Sequence, residues 1–120
     1  FKLGSGGVNI LMISGIHGNE LPSQLASLRL LNELINTKLE NTVYIIPFAA
    51  PKATMNNERT LNSRDLNRSA HIKNSLSNLI MQAIDELDVN FVGDFIQQLK
   101  IVILDLNQYF QAEILLQKAV

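Results

Sequence analysis

The feature that constrains this chain most is the apolar run Val8-Asn9-Ile10-Leu11-Met12-Ile13-Ser14, followed at once by Gly15-Ile16-His17-Gly18-Asn19-Glu20. A continuous apolar run of this length fits a strand buried on both faces. Asn19 suits a helix N-cap, and Pro22 falls in a first turn, where its missing N–H is tolerated. Leu21, Leu25, Leu28, Leu31, Leu34 and Ile35 then recur at helical spacing, the stripe that such a helix turns to a core. The opening therefore reads as strand, glycine-flanked turn, then a helix over residues 20–36. The turn lifts one imidazole and one carboxylate out of the fold, three residues apart. Ligands end up just past the carboxyl ends of strands in open α/β sheets, which is where His17 falls.

The same alternation continues downstream. Residues 1–7 are small and polar around Gly4, Gly6 and Gly7, as a loop or hairpin edge would be. Residues 42–46 are β-branched and aromatic, a second strand ended by Pro47. Residues 48–68 have no clean period and read as one long loop, which in a small domain is usually functional. Leu76, Leu79, Ile80, Ala83, Ile84 and Leu87 form the apolar face of a second helix over residues 75–87. Residues 89–95 alternate like a strand and residues 101–106 are another apolar run. Residues 109–119 read as a last helix with Phe110, Ile114 and Leu115 inward. Strands alternating with helices predict a three-layer α/β/α sandwich around a mostly parallel mixed sheet.

With 120 residues, a single domain over 1–120 is expected. Apolar residues are 47% and charged ones 18%, as in a packed globule rather than a disordered chain. The net charge of −1, with both signs scattered, argues against nucleic-acid or anionic-membrane partners. No apolar run approaches the roughly 20 residues of a membrane span. No basic-then-apolar leader is seen, so a cytoplasmic protein is expected, and the sequon Asn67-Arg68-Ser69 is read as chance. There is no cysteine, so a metal would have to use His, Asp, Glu, Asn or water.

Imidazole and carboxylate are favoured zinc ligands, so His17 and Glu20 are candidate ligands of one ion. The alternative is a polar strand-to-helix turn in which Glu20 favours the helix start through the dipole. At the end of the long loop stands Ser63-Arg64-Asp65-Leu66-Asn67-Arg68. Adjacent Asn67 and Arg68 can hold a carboxylate together, an amide donor beside a planar guanidinium fork. The alternative there is a solvated loop with a helix cap. Arg59 and Arg64 are further cations on the same loop.

Together and in this order, the two motifs resemble the zinc carboxypeptidase superfamily, in its succinylglutamate desuccinylase/aspartoacylase branch. That branch carries Gly-x-His-Gly-Asn-Glu after the first core strand, then Asp-Leu-Asn-Arg, then a helix and a strand ending in Asp-x-His. Gly15 to Glu20 and Asp65 to Arg68 match the first two, and the resemblance covers roughly residues 8 to 96. It implies a zinc-dependent hydrolase acting on an amide near a free carboxylate, in an N-acyl amino acid or peptide-like substrate. It implies zinc on His17 and Glu20, and a substrate carboxylate on Asn67 and Arg68. An upstream arginine, Arg59 or Arg64, would polarise the scissile carbonyl.

The third-ligand histidine is not matched. Alignment on Val92-Gly93-Asp94-Phe95 puts Ile96 there, and alignment on Ile103-Leu104-Asp105-Leu106 puts Asn107 there. His71 is expected to face solvent. Asp94 or Asp105 could serve as an oxygen ligand, or simply as a hydrogen-bonded strand-end carboxylate. The general-base glutamate of the family has no counterpart, Glu113 being a poor substitute. The chain thus reads as an incomplete carboxypeptidase-like domain, truncated or decayed, in keeping with its start at Phe1. A non-catalytic relative or interaction domain is the competing expectation. An exposed sheet edge would favour homo-oligomers.

Overall fold

The computed structural model describes residues 1–95 and the backbone of a strand at 101–105. The elements are β1 (Lys2–Leu3), β2 (Asn9–Ile13), α1 (Leu21–Leu34), β3 (Thr42–Ile46) and α2 (Pro51–Met55). A 3-10 turn at Leu66–Arg68, α3 (Leu76–Glu86), β4 (Phe91–Phe95) and β5 (Ile101–Asp105) follow. The helix expected over residues 109–119 lies outside the described residues, as do Ile96, Asn107 and Glu113.

The strands form one mixed sheet in the order β1-β3-β2-β4-β5. Its centre is parallel: β2 pairs with β3 through Asn9↔Thr42 to Ile13↔Ile46, and with β4 through Ile10↔Phe91 to Ile13↔Asp94. Both outer strands, β1 and β5, run antiparallel to their neighbours. The chain steps from β2 one way to β3 and then back across β2 to β4. Right-handed crossovers in opposite directions place their helices on opposite faces of a sheet. The result is a three-layer α/β/α sandwich.

On the α3 face, Ile84 packs with Leu11, Ile13, Ala49, Val89 and Val92 in the main core. β2 is apolar on both sides because both sides are covered. Leu11 and Ile13 face α3, while Met12 meets Gly93 on the other side, close enough that a Cβ there would collide with its thioether.

α1 is rotated relative to its apolar pattern. The leucine stripe is not what it buries: Leu21, Leu25 and Ile35 are exposed, Leu25 at 57%, while Ser23, Gln24 and Ser27 are buried. The rotation follows from the turn that leads into the helix. Ser23 Oγ donates to the Glu20 carbonyl (2.7 Å), and Gln24 Nε2 donates to the Gly18 carbonyl (3.1 Å). These bonds direct the polar side inward and leave Leu21 and Leu25 outward, with Leu28, Leu31 and Leu34 half-buried. The N-cap is Glu20 and not Asn19, and no side chain caps the helix.

The stretch 48–68 is not a plain loop. α2 begins at Pro51, whose fixed φ suits a first helical position. It was invisible to periodicity because it is too short to show a stripe. Ala50, Ala53 and Leu66 form a second small core beneath it.

Candidate functional site

His17 owes its position to backbone rather than to side chains. Past the end of β2, Ser14 N donates to the Ile46 carbonyl (2.8 Å). Ala49 N and Ala50 N then donate to the carbonyls of Ser14 and Gly15 (both 2.9 Å). The pairing between β2 and β3 thus continues beyond the sheet proper and fixes the start of the turn. Gly15 adopts φ +71°, and a Cβ there would press on the backbone of Pro47 and Phe48. A Cβ on Gly18 would overlap the backbone of Ala53 in α2. The two glycines are needed because the turn is clamped between the β3 exit and α2.

In this clamp the His17 ring is buried and held from both sides. Nδ1 lies 3.0 Å from Glu20 Oε1, and Nε2 lies 3.0 Å from Asp65 Oδ1. Arg59 spans the two carboxylates, Nη1 at 3.4 Å from Glu20 Oε1 and Nη2 at 3.9 Å from Asp65 Oδ2. Asp65 is the cap of the 3-10 turn and accepts from the Asn67 backbone N–H at 3.0 Å. Burial pushes the Asp65 carboxyl up. The His17 and Asn67 hydrogen bonds and the nearby charges of His17 and Arg59 outweigh this and hold it below the usual aspartate value. Asp65 was not singled out in sequence as a site residue. The signal that could have found it was its place at the head of Asp-Leu-Asn-Arg, where it caps the turn that presents the next two residues.

Of the two candidate arginines, Arg59 is the one brought to His17 and Glu20. Arg64 pairs its backbone with Leu61 and lines a separate cleft with Asn62 and Ser75 at the start of α3. Asn67 and Arg68 stand exposed on the 3-10 turn directly after Asp65, and His71 is exposed beyond them.

The strand register separates the two aspartates. Asp94 pairs with Ile13 at the end of the sheet from which the His17 turn departs. Asp105 pairs with Phe91 at the opposite end, away from the turn. Asp94 Oδ1 is buried and has no hydrogen-bond partner among the described residues. Burial and then the negative charge of Glu20 raise the Asp94 carboxyl from 3.8 to about 6, with His17 opposing.

The donor set bears directly on a metal. Two ligands on a tetrahedral zinc lie about 3.3–3.6 Å apart, given metal–ligand bonds near 2.0–2.2 Å. His17 Nδ1 and Glu20 Oε1 are hydrogen-bonded at 3.0 Å, so they would have to part by about 0.3–0.6 Å to share an ion. The other ring nitrogen faces Asp65, the outer carboxylate that typically orients a metal-binding imidazole. An imidazole, a carboxylate beside one ring nitrogen and a second carboxylate beside the other thus converge at the turn. Among the described residues no three His, Asp or Glu side chains are grouped to share an ion.

Comparison with known proteins places the chain in a family. A family model described as the succinylglutamate desuccinylase/aspartoacylase catalytic domain matches residues 6–108. The crystal structure of an aspartoacylase family protein from Mesorhizobium loti is similar, with a TM-score of 0.66 and 29% sequence identity. The match covers 78% of this chain and 32% of that one, so the chain spans about a third of that protein's length. No curated protein matches the chain. The chain belongs to the succinylglutamate desuccinylase/aspartoacylase family.

Proposed function

We propose that this chain is the metal- and carboxylate-holding part of a zinc-dependent deacylase-type hydrolase, acting on an amide next to a free carboxylate. The observation that carries this reading is the imidazole of His17 held between Glu20 and Asp65, each contact at 3.0 Å. His17 Nδ1 and Glu20 Oε1 would hold the zinc, and Asp65 would fix the ring through Nε2. A catalytic zinc supplies a water acidified to a pKa of about 7 and polarises the bond under attack.

The chain's own residues do the rest that falls within it. Asn67 and Arg68, exposed side by side, offer an amide and a guanidinium fork to the carboxylate of an N-acyl amino acid. Arg59 sits beside Glu20 and Asp65, with its remaining donors available to a developing oxyanion. The clamped turn keeps the imidazole from swinging as substrate arrives.

A second reading is favoured by a specific observation: the position of the family motif's histidine falls on Ile96 or Asn107, neither of them a histidine, and among the described residues no group of three ligands replaces it. On that reading the chain binds N-acyl amino acids and does not cleave them. Zinc titration against a chromophoric chelator, with the parent and His17→Ala, tests the metal site; equal affinities refute it. Hydrolysis and binding of N-acetyl-L-aspartate and related N-acyl amino acids, with the parent and Arg68→Ala, separate the two readings. Turnover that requires His17 supports the hydrolase. Arg68-dependent binding without turnover supports the binding module.

A further inference from the structure

Gln24 lies on the buried side of α1, one helical turn after Glu20. Residues four apart share a helix face, and helical side chains lean towards the N-terminus. Its carboxamide therefore reaches back over the turn that enters the helix. There Nε2 donates to the Gly18 carbonyl at 3.1 Å and to the His17 carbonyl at 3.5 Å. Both acceptors are carbonyls, so only the NH2 side of the amide can face them. Gly18 and Asn19 are the link between the two candidate ligands. The backbone bonds that carry the turn out from β2 act on Ser14 and Gly15, ahead of the imidazole. Between the imidazole and Glu20 the backbone supplies one bond, from Glu20 N to the His17 carbonyl, at 3.3 Å. Among the described residues only Gln24 donates to the Gly18 carbonyl.

The same amide is costly. Gln24 is 2% exposed, and its Oε1 has no hydrogen-bond partner among the described residues. A buried acceptor without a donor lowers stability, and an apolar side chain of the same length would fill the space without that cost. Departures of this kind gather at functional sites.

We infer that Gln24 is a positioning residue: its N–H groups hold the link from the helix side and set the separation at which the His17 imidazole and the Glu20 carboxylate meet an ion. The inference rests on the reading that these two side chains bind zinc. The pair has only about 0.3–0.6 Å to part before it can share an ion. A link gripped at the Gly18 carbonyl allows that movement and resists a wider opening. Without the amide the link samples more arrangements, and binding must then narrow them at a cost in affinity.

The test uses the 120-residue chain as parent, His17→Ala, Gln24→Met and Ser27→Ala. Methionine keeps the length of glutamine and removes its donors. Ser27 is buried on the same side of α1 with its hydroxyl also unpartnered among the described residues, so it serves as the control. Zinc affinity is measured by competition with a chelator. Cobalt(II) in place of zinc reports ligand geometry through its visible absorption. Urea unfolding in EDTA checks the fold. Gln24→Met should keep its urea transition, bind zinc about tenfold more weakly and change the cobalt spectrum. Ser27→Ala should match the parent in both metal readouts. Unchanged zinc affinity or an unchanged cobalt spectrum in Gln24→Met overturns the inference and leaves the ligand pair standing. Loss of its urea transition, or an equal change in Ser27→Ala, does the same. Parent affinity that His17→Ala does not reduce refutes the ligand pair, and the inference with it.

Discussion

Asp94→Asn should stabilise this protein at neutral pH, which is unusual for a substitution in the interior. The Asp94 carboxyl is raised from 3.8 to about 6, chiefly by burial and then by the charge of Glu20. A raised carboxylate binds its proton more tightly folded than unfolded. Its favourable contribution is fully present below pH 3.8 and is lost as pH rises through 6. Two units at 1.36 kcal/mol each set an upper bound of about 3 kcal/mol on the penalty above pH 6. Asparagine keeps the shape and removes the charge. Urea unfolding of both proteins in EDTA, from pH 4 to 7.5, measures the difference. The curves should nearly coincide at pH 4 and diverge by up to about 3 kcal/mol by pH 7.5, the variant being the more stable. Asp65 acts in the opposite sense and in another window. Its carboxyl is lowered, so its contribution is present above the unfolded value and fades only below about pH 4. A pH-independent difference, or a variant weaker at pH 7.5, would refute the account of Asp94 as a buried, unpaired charge.

Three other outcomes are expected. Leu25→Ser should change stability by no more than about 0.5 kcal/mol because Leu25 is exposed, whereas Ile84→Ala should cost about 2–5 kcal/mol; denaturant midpoints decide. Gly18→Ala should destabilise by about 1–3 kcal/mol and weaken zinc binding, since its methyl would push the His17 turn off Ala53, and thermal unfolding with metal titration checks both. Asp65→Asn should lower zinc affinity about 10- to 100-fold through loss of the carboxylate behind Nε2; unchanged affinity would show that the ring needs no such support.

Much of this molecule was legible in its sequence because the signals were local. β2 announced itself as an unbroken apolar run, β3 by β-branched residues before Pro47, and α3 by its apolar face. The pairing of His17 with Glu20 follows from a spacing of three across a tight turn. The rotation of α1 was not legible, because its leucines outnumber the small polar residues that do the anchoring. Only the direction of the Gln24 and Ser23 hydrogen bonds decides which side turns in. Asp65 reaches His17 across 48 residues of chain, beyond any local rule. Asp94 could be told from Asp105 only once the strand register was known. α2 hid in the long loop because a five-residue helix has no period to read.

The amides of Ala49 and Ala50, bonded to the carbonyls that follow β2, make the imidazole's mounting an outgrowth of the sheet. Ordinary binding loops breathe independently of the scaffold beneath them. This one should open only when the strands themselves part, so those two amide protons belong with the slowly exchanging set. A receptor built on such footing selects guests by where their atoms must sit, with little capacity to reshape itself around a poor fit.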